Sequence, residues 1–399
     1  MLLLTGTAVL GVLAATPSAL AAGGGPADRA AAGACTSSVP FVAGEHGYDT
    51  FRVPAVVAAP DGALLAFAEG RVAGAGDSGN IDVVLRRSAD GGCTWGELSV
   101  VASGDGDTRG NPAPVVDPAT GRVVLVTCFN SGEVTEHEII GGEVTPEQSR
   151  RVFVQTSDDA GRTFSAPREI TDAAKLPQWR WYATGPGHAI ALTKGPHAGR
   201  LLVPANHSTA PPAGSPDTGA EPRYYGSHAL YSDDGGTTWE LGYIDDSYDG
   251  AANSNESSVA ELPDGRLYFS VRDQNGTDPG NRLGGYSSDG GASLDGPLVA
   301  QEGLGAVPVV QASVLQLPGK RGPLLFSGPS NPDRREALTV WRSDDAGRSF
   351  EPAVTLSEQP AAYSDLVSLD RRTVGVLYET GASGPYETIE FRRIGLGRP

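Results

Sequence analysis

Four arginines, three carboxylates, an asparagine and a tyrosine stand out, because most lie where one apolar strand begins or its partner ends. Arg52, Asn111, Glu256 and Tyr363 precede strands, and Arg71, Arg272 and Glu379 follow the partners of such strands. Asp77 sits in the loop Gly74-Ala75-Gly76-Asp77-Ser78-Gly79, and Arg335 follows the strand Leu324 to Phe326. Guanidinium groups are planar, permanently charged forks that match a carboxylate. A phenol beside a carboxylate can be activated as a nucleophile, and an acid on a mobile glycine-rich loop can protonate a leaving group. In an antiparallel hairpin the end of the second strand lies beside the start of the first, so these positions should gather on one face. A lone Arg in such a loop is ordinarily a solvated charge, and a Tyr starting a strand is ordinarily core. The convergence of the whole set outweighs both.

The elements that must bring them together are announced by a repeated phrase. It reads Ser88-Ala89-Asp90-Gly91-Gly92-Cys93-Thr94-Trp95 and returns at Ser157 to Phe164, Ser232 to Trp239, Ser287 to Leu294 and Ser343 to Phe350. Ser and Asp side chains bond nearby backbone N–H groups, Gly accepts positive φ, and the terminal aromatic (Leu294 in the fourth copy) can fold back onto the sheet. Each copy is a hairpin turn within a repeat architecture. A second set of turns separates apolar strands: Pro60-Asp61-Gly62, Pro118 to Gly121, Pro196 to Gly199, Pro263-Asp264-Gly265, Pro318-Gly319 and Leu369-Asp370-Arg371. Five of these six are followed by the Ser/Asp phrase. Two hairpins per unit predict an all-β, six-bladed β-propeller of four-stranded antiparallel blades. The last unit runs out of chain, so its outer strand is expected from the N-terminal segment near Val39 to Ala43, closing the ring.

Composition agrees with many short strands: 399 residues contain 54 Gly and 30 Pro. The net charge of −18 argues against nucleic acid as a partner. After the first 25 residues no apolar run is long enough to span a membrane. Leu2 to Ala22 is apolar and ends in Ala19-Leu20-Ala21, which reads as a signal peptide over residues 1–22, although no basic residue stands near Met1. Residues 23–35 read as a disordered linker and 36–399 as the propeller. The cysteines are Cys35, Cys93 and Cys128, so one disulfide can form, with its pairing open. Neither they nor the six histidines show metal-ligand spacing, and no metal or cofactor is expected.

Over residues 40–395 the chain resembles the sialidase (neuraminidase) family, in its secreted bacterial type with Asp-box repeats. The resemblance is carried by Phe51-Arg52-Val53-Pro54, the five Ser/Asp phrases, Phe67-Ala68-Glu69-Gly70-Arg71, Asn255-Glu256-Ser257, Val271-Arg272-Asp273, Ala362-Tyr363-Ser364 and Leu377-Tyr378-Glu379. It implies that Arg52, Arg272 and Arg335 form a triad gripping the carboxylate of a sialic acid, with Glu379 orienting Arg52. It implies Tyr363 as nucleophile and Glu256 as its proton acceptor. A carboxylate nucleophile would be repelled by the substrate's own anion, and sialidases are exceptions to the two-carboxylate rule for this reason. Asp77 corresponds to the acid/base, with Asp82 as the alternative. Arg71 and Asn111 would contact a ring hydroxyl and the N-acyl group. Thr184-Gly185-Pro186-Gly187-His188 resembles a substrate-facing loop, and Asn206-His207-Ser208 stands where some relatives carry aromatics.

The function so implied is that of a secreted, monomeric, retaining exo-sialidase acting on sialylated glycoproteins, glycolipids or oligosaccharides. A trans-sialidase would use the same site with rim aromatics such as Trp179, Trp181 or Tyr248. A catalytically silent glycan-binding propeller would lose Tyr363, Glu256 or an arginine.

Overall fold

Short strands joined by tight turns account for nearly all of the regular structure in this computed structural model, which describes residues 35–396 apart from 279 and 320. The signal peptide expected at 1–22 and nearly all of the linker expected at 23–35 lie outside the described residues.

Four blades stand as separate antiparallel sheets. The first comprises Trp179–Thr184, Leu201–Thr209, Tyr225–Ser232 and Glu240–Ile244, with the two-residue strand Ile190–Ala191 beside it. The next two are Ser254–Glu261, Leu267–Asp273, Arg282–Ser287 and Val299–Ala300, then Ser313–Gln316, Leu324–Asn331, Arg334–Ser343 and Glu351–Thr355. The last comprises Ala361–Ser368, Thr373–Thr380 and Thr388–Gly395, and its outer edge is Ser37–Val42 from the other end of the chain.

The expectation of six separate blades needs correction. Thr50–Ala58, Leu64–Arg71, Ile81–Ser88 and Ser99–Ala102 do not form a sheet of their own. They are continuous with Thr108–Val116, Val123–Asn130, Arg151–Ser157 and Arg168–Glu169 in one eight-stranded sheet. The reason is local. The turn after Ala102 is tight, with Asp107 N–H donating to Gly104 O, and it delivers Thr108 parallel to and paired with Ile81. A Cβ on Gly104 would lie 2.0 Å from Asp107 O, so the turn admits only glycine.

The Ser/Asp phrases join the third strand of a unit to its fourth. In the first copy Ser88 Oγ donates to Asp90 Oδ1 and accepts from Gly92 N–H, while Asp90 accepts from Thr94 N–H and Oγ1. The same pattern recurs in the other four copies. The glycine that closes each turn abuts a neighbouring strand set: Gly92 on Phe391, Gly161 on Leu65, Gly236 on Val124, Gly291 on Leu202 and Gly347 on Tyr268. The phrase therefore clasps its own hairpin and packs it against its neighbour. Cys35 and Cys93 form a disulfide that ties the closing strand to the first copy, and Cys128 is buried and unpaired.

One feature of the inner strands positions the site. Five of them carry a β-bulge near their start, where two residues face one on the partner: Val53-Pro54, Asn111-Pro112, Arg180-Trp181, Asn255-Glu256 and Ala362-Tyr363. Bulges bend a strand and re-aim its side chains. Val53 and Asn111 hold φ of 56° and 53°, each followed by a proline that lacks a ladder N–H. Below the bulges, the buried Asp365 carboxylate accepts from Val56 N–H, His188 N–H and Ser313 Oγ and pairs with His188 Nδ1 at 2.7 Å. It links two inner strands and the loop that ends at His188 to the strand bearing Tyr363.

Candidate active site

The bulged ends open onto a cleft of about 770 Å³ lined by Arg52, Arg71, Asp77, Asn111, Glu256, Arg272, Arg335 and Tyr363. Eight of the nine residues singled out from sequence are thus brought together. The ninth, Glu379, lies directly behind Arg52 and is 0% exposed.

Glu379 accepts from Arg52 Nε at 3.1 Å and Nη2 at 3.3 Å, and also from the backbone N–H groups of Val53 and Tyr363. Arg52 is further held between the rings of Tyr386, 4.1 Å away, and Tyr363, 5.0 Å away. Its pKa is raised: burial opposes the charge, but the Glu379 carboxylate outweighs it. Arg272 Nη1 donates to Glu256 Oε2 at 2.7 Å. Among the described residues Arg335 pairs with no carboxylate; it donates to Tyr386 Oη and Val309 O. A site with three guanidinium groups from three sheets, one of them facing no carboxylate among the described residues, is suited to an anionic ligand.

Tyr363 Oη donates to Glu256 Oε1 at 2.5 Å. Burial, then the Glu256 charge, pushes the phenol's pKa well above its ordinary value, while Arg272, Arg52 and Arg335 pull against that rise. The phenol is therefore neutral at rest and has a carboxylate placed to receive its proton.

Asp77 is half exposed at the cleft rim, with Oδ1 2.8 Å from Arg71 Nη2 and 3.8 Å from Arg52 Nη1. Partial burial would raise its pKa, but the two guanidinium groups hold it below the usual carboxylate range. Arg71 also donates to the Ala75 and Gly76 carbonyls, fixing the loop that carries Asp77. The alternative, Asp82, is committed elsewhere: it accepts from Tyr48 Oη, Ser103 Oγ and Gly104 N–H.

Several lining residues were not singled out from sequence. Glu69 accepts from Arg71 Nε and Nη2 and from Asn111 N–H. Its place in the Phe67–Arg71 motif was the available signal. Glu136, from the helix Glu136–Gly141, Arg150 and Tyr225 also reach the cleft, as does Asn206 of the Asn206-His207-Ser208 segment named from sequence. Asn111-Pro112 echoes Val53-Pro54 and could have announced the bulge. The Thr184–His188 loop does not line the cleft; it runs beneath it, where Gln311 donates to Pro186 O and His188 meets Asp365. Of the three suggested rim aromatics only Trp181 lines the cleft. Trp179 stacks on His207 at 3.9 Å, and Tyr248 Oη meets the same histidine.

The profile of the BNR repeat-like domain matches residues 62–376. A sialidase of Micromonospora viridifaciens is 30% identical over 365 residues, covering 89% of this chain and 53% of that protein. An exo-alpha-sialidase of Aspergillus fumigatus is 28% identical over 385 residues, covering 88% and 85%. Among solved structures, the Hadza microbial sialidase Hz136 superposes with a TM-score of 0.76 at 26% identity, covering 89% of this chain and 67% of that one. The chain spans 53% and 62% of the first two curated relatives, the second a sialidase of Bacteroides fragilis. By that profile the chain belongs to the family of the BNR repeat-like domain, and over most of its length it is similar to sialidases.

Proposed function

We propose that the chain is a retaining exo-sialidase that releases terminal α-linked sialic acids from glycoconjugates, with Tyr363 as nucleophile. The observation that carries this reading is the 2.5 Å bond between Tyr363 Oη and Glu256, set among three arginines.

The substrate carboxylate binds Arg52, Arg272 and Arg335. Tyr363 Oη attacks the anomeric carbon as its proton passes to Glu256, and the glycosidic oxygen departs with a proton from Asp77. Water then attacks the same carbon, giving its proton to Asp77, while Tyr363 leaves and recovers its proton from Glu256. Two displacements restore the starting configuration. In the free cleft Asp77 is held ionised by Arg71 and Arg52. A bound carboxylate adds negative charge and draws on Arg52, so the affinity of Asp77 for a proton rises where the leaving group needs it.

The apolar segment before residue 23 supports secretion, and the Cys35–Cys93 disulfide suits an oxidising compartment. The test is release of a fluorescent phenol from an aryl sialoside between about pH 4 and 8 by wild type, Tyr363→Phe and Asp77→Ala. Release by wild type and a fall of about 10³-fold or more in Tyr363→Phe are expected. Absence of wild-type release overturns the activity, and undiminished release by Tyr363→Phe overturns the mechanism.

A further inference from the structure

Two of the three cleft arginines share a support, Tyr386, which does not itself line the cleft. Its Oη accepts from Arg335 Nη1 at 3.0 Å, the one bond Arg335 makes to another side chain among the described residues. The other acceptor of Arg335 is a backbone carbonyl, Val309 O. The ring of Tyr386 lies 4.1 Å from the Arg52 guanidinium, closer than the ring of Tyr363 at 5.0 Å. Tyr386 packs against the buried cluster that contains Val53, Ala362 and Tyr363. Neighbouring guanidinium groups repel one another, and each hangs on a flexible stem. The electron-rich face of a ring and an accepting phenol oxygen offset the first cost, and fixing the stems removes the second before a ligand arrives.

The segment that carries Tyr386 is built to hold it still. Residues 381–387 join the strands Thr373–Thr380 and Thr388–Gly395, and the Glu387 carboxylate clamps them by accepting from Ala382 and Ser383 N–H. Tyr386 O accepts from Thr50 Oγ1 at 2.9 Å, on the strand that bears Arg52. Glu387 O accepts from Ala43 N–H, just past the closing strand Ser37–Val42.

We propose that Tyr386 is a positioning residue, whose ring and hydroxyl hold Arg52 and Arg335 in the relative placement that receives a carboxylate, from a loop seated on Thr50 and on the closing strand. The inference rests on the sialidase reading and adds to it a residue that acts on substrate only through the two arginines. Its seat lies at the seam where the two ends of the chain meet, so the closing strand contributes to substrate binding without approaching the cleft.

The test is release from an aryl sialoside by wild type, Tyr386→Phe and Tyr386→Leu, with melting temperatures measured alongside. Tyr386→Phe keeps the ring and loses the hydroxyl, so KM should rise about 3- to 10-fold. Tyr386→Leu loses both, and KM should rise about 10- to 100-fold, with kcat within about 3-fold of wild type in each case. Because the hydroxyl acts through Arg335, Tyr386→Phe should cost nothing further in kcat/KM once Arg335→Met is present. Thr50→Val, which removes the seat, should raise KM about 2- to 5-fold alone and not at all beside Tyr386→Leu. Unchanged KM in both Tyr386 variants, or a full Tyr386→Phe penalty beside Arg335→Met, would overturn the positioning role. So would a fall in kcat and melting temperature with KM unmoved, and a further rise of KM when Thr50→Val joins Tyr386→Leu would overturn the seat. No release by wild type would instead overturn the sialidase reading beneath it.

Discussion

Glu69 repeats, at one corner of the cleft, the arrangement that Glu379 makes at another. Each carboxylate lies on a second strand, holds an arginine through two N–H groups, and accepts the backbone N–H of a bulge residue from a neighbouring strand: Asn111 for Glu69, Val53 for Glu379. A bulge leaves an N–H outside the ladder, and a buried N–H without a partner is costly. The two glutamates therefore serve the backbone and the arginines at once.

Removing either should cost both stability and binding. Glu379→Ala leaves Arg52 buried and strips acceptors from Val53 and Tyr363. We expect a loss of about 3–5 kcal/mol in urea unfolding, with weakened substrate binding. Glu379→Gln, which keeps an acceptor oxygen, should lose less stability than Glu379→Ala. Equal stability of Glu379→Ala and wild type would contradict this account.

Binding of a carboxylate-bearing substrate analogue should take up protons. Asp77 is depressed in the free cleft by Arg71 and Arg52, so an anion seated among the arginines raises its pKa, and the bound form holds more protons at the same pH. Calorimetry at about pH 4 in two buffers of different ionisation enthalpy should show the uptake. Asp77→Asn should abolish it.

The His188–Asp365 pair should favour the fold on the acidic side. Burial opposes the charged imidazole, but the Asp365 carboxylate wins and raises its pKa. A folded pKa above the unfolded one gives stability that is complete below about pH 6.5 and is lost as pH rises through the folded value. Burial shifts His207 and His228 in the opposite direction, so the readout must be a difference. The stability of wild type relative to His188→Gln should fall as pH rises above about 6.5, measured by urea unfolding.

Reduction should loosen the seam before it reaches the cleft. The Cys35–Cys93 bond spans 58 residues and anchors the strand that pairs with Thr388–Gly395. Cys35→Ser should cost about 2–5 kcal/mol and speed hydrogen exchange in Ser37–Val42. The buried Cys128 should stay unreactive to thiol reagents until unfolding.

Much of this cleft was legible in the sequence because hairpin geometry places strand starts beside strand ends, and the Ser/Asp turns fix which ends those are. That logic reached Arg52, Asn111, Glu256 and Tyr363. It miscounted the discrete blades, because the continuity of Ile81–Ser88 with Thr108–Val116 depends on how residues 103–107 turn, not on strand periodicity. It passed over Arg150, since a polar residue at a strand end gives no sign of whether its side chain will find a partner. It also read Thr184–His188 as facing substrate, where the loop instead serves the axis through Asp365.

The five bulges have a further consequence, for how such a site is gained or lost. Regular strands alternate their faces, so one extra residue changes which side chains point inward from there on. In Asn255-Glu256 and Ala362-Tyr363 the proposed base and nucleophile are themselves part of the unmatched pair. Deleting one codon at either bulge would leave the strand able to pair in register while turning that side chain away from the cleft. Insertion and deletion at a bulge, beside substitution, are thus changes by which this fold can acquire or silence such a site.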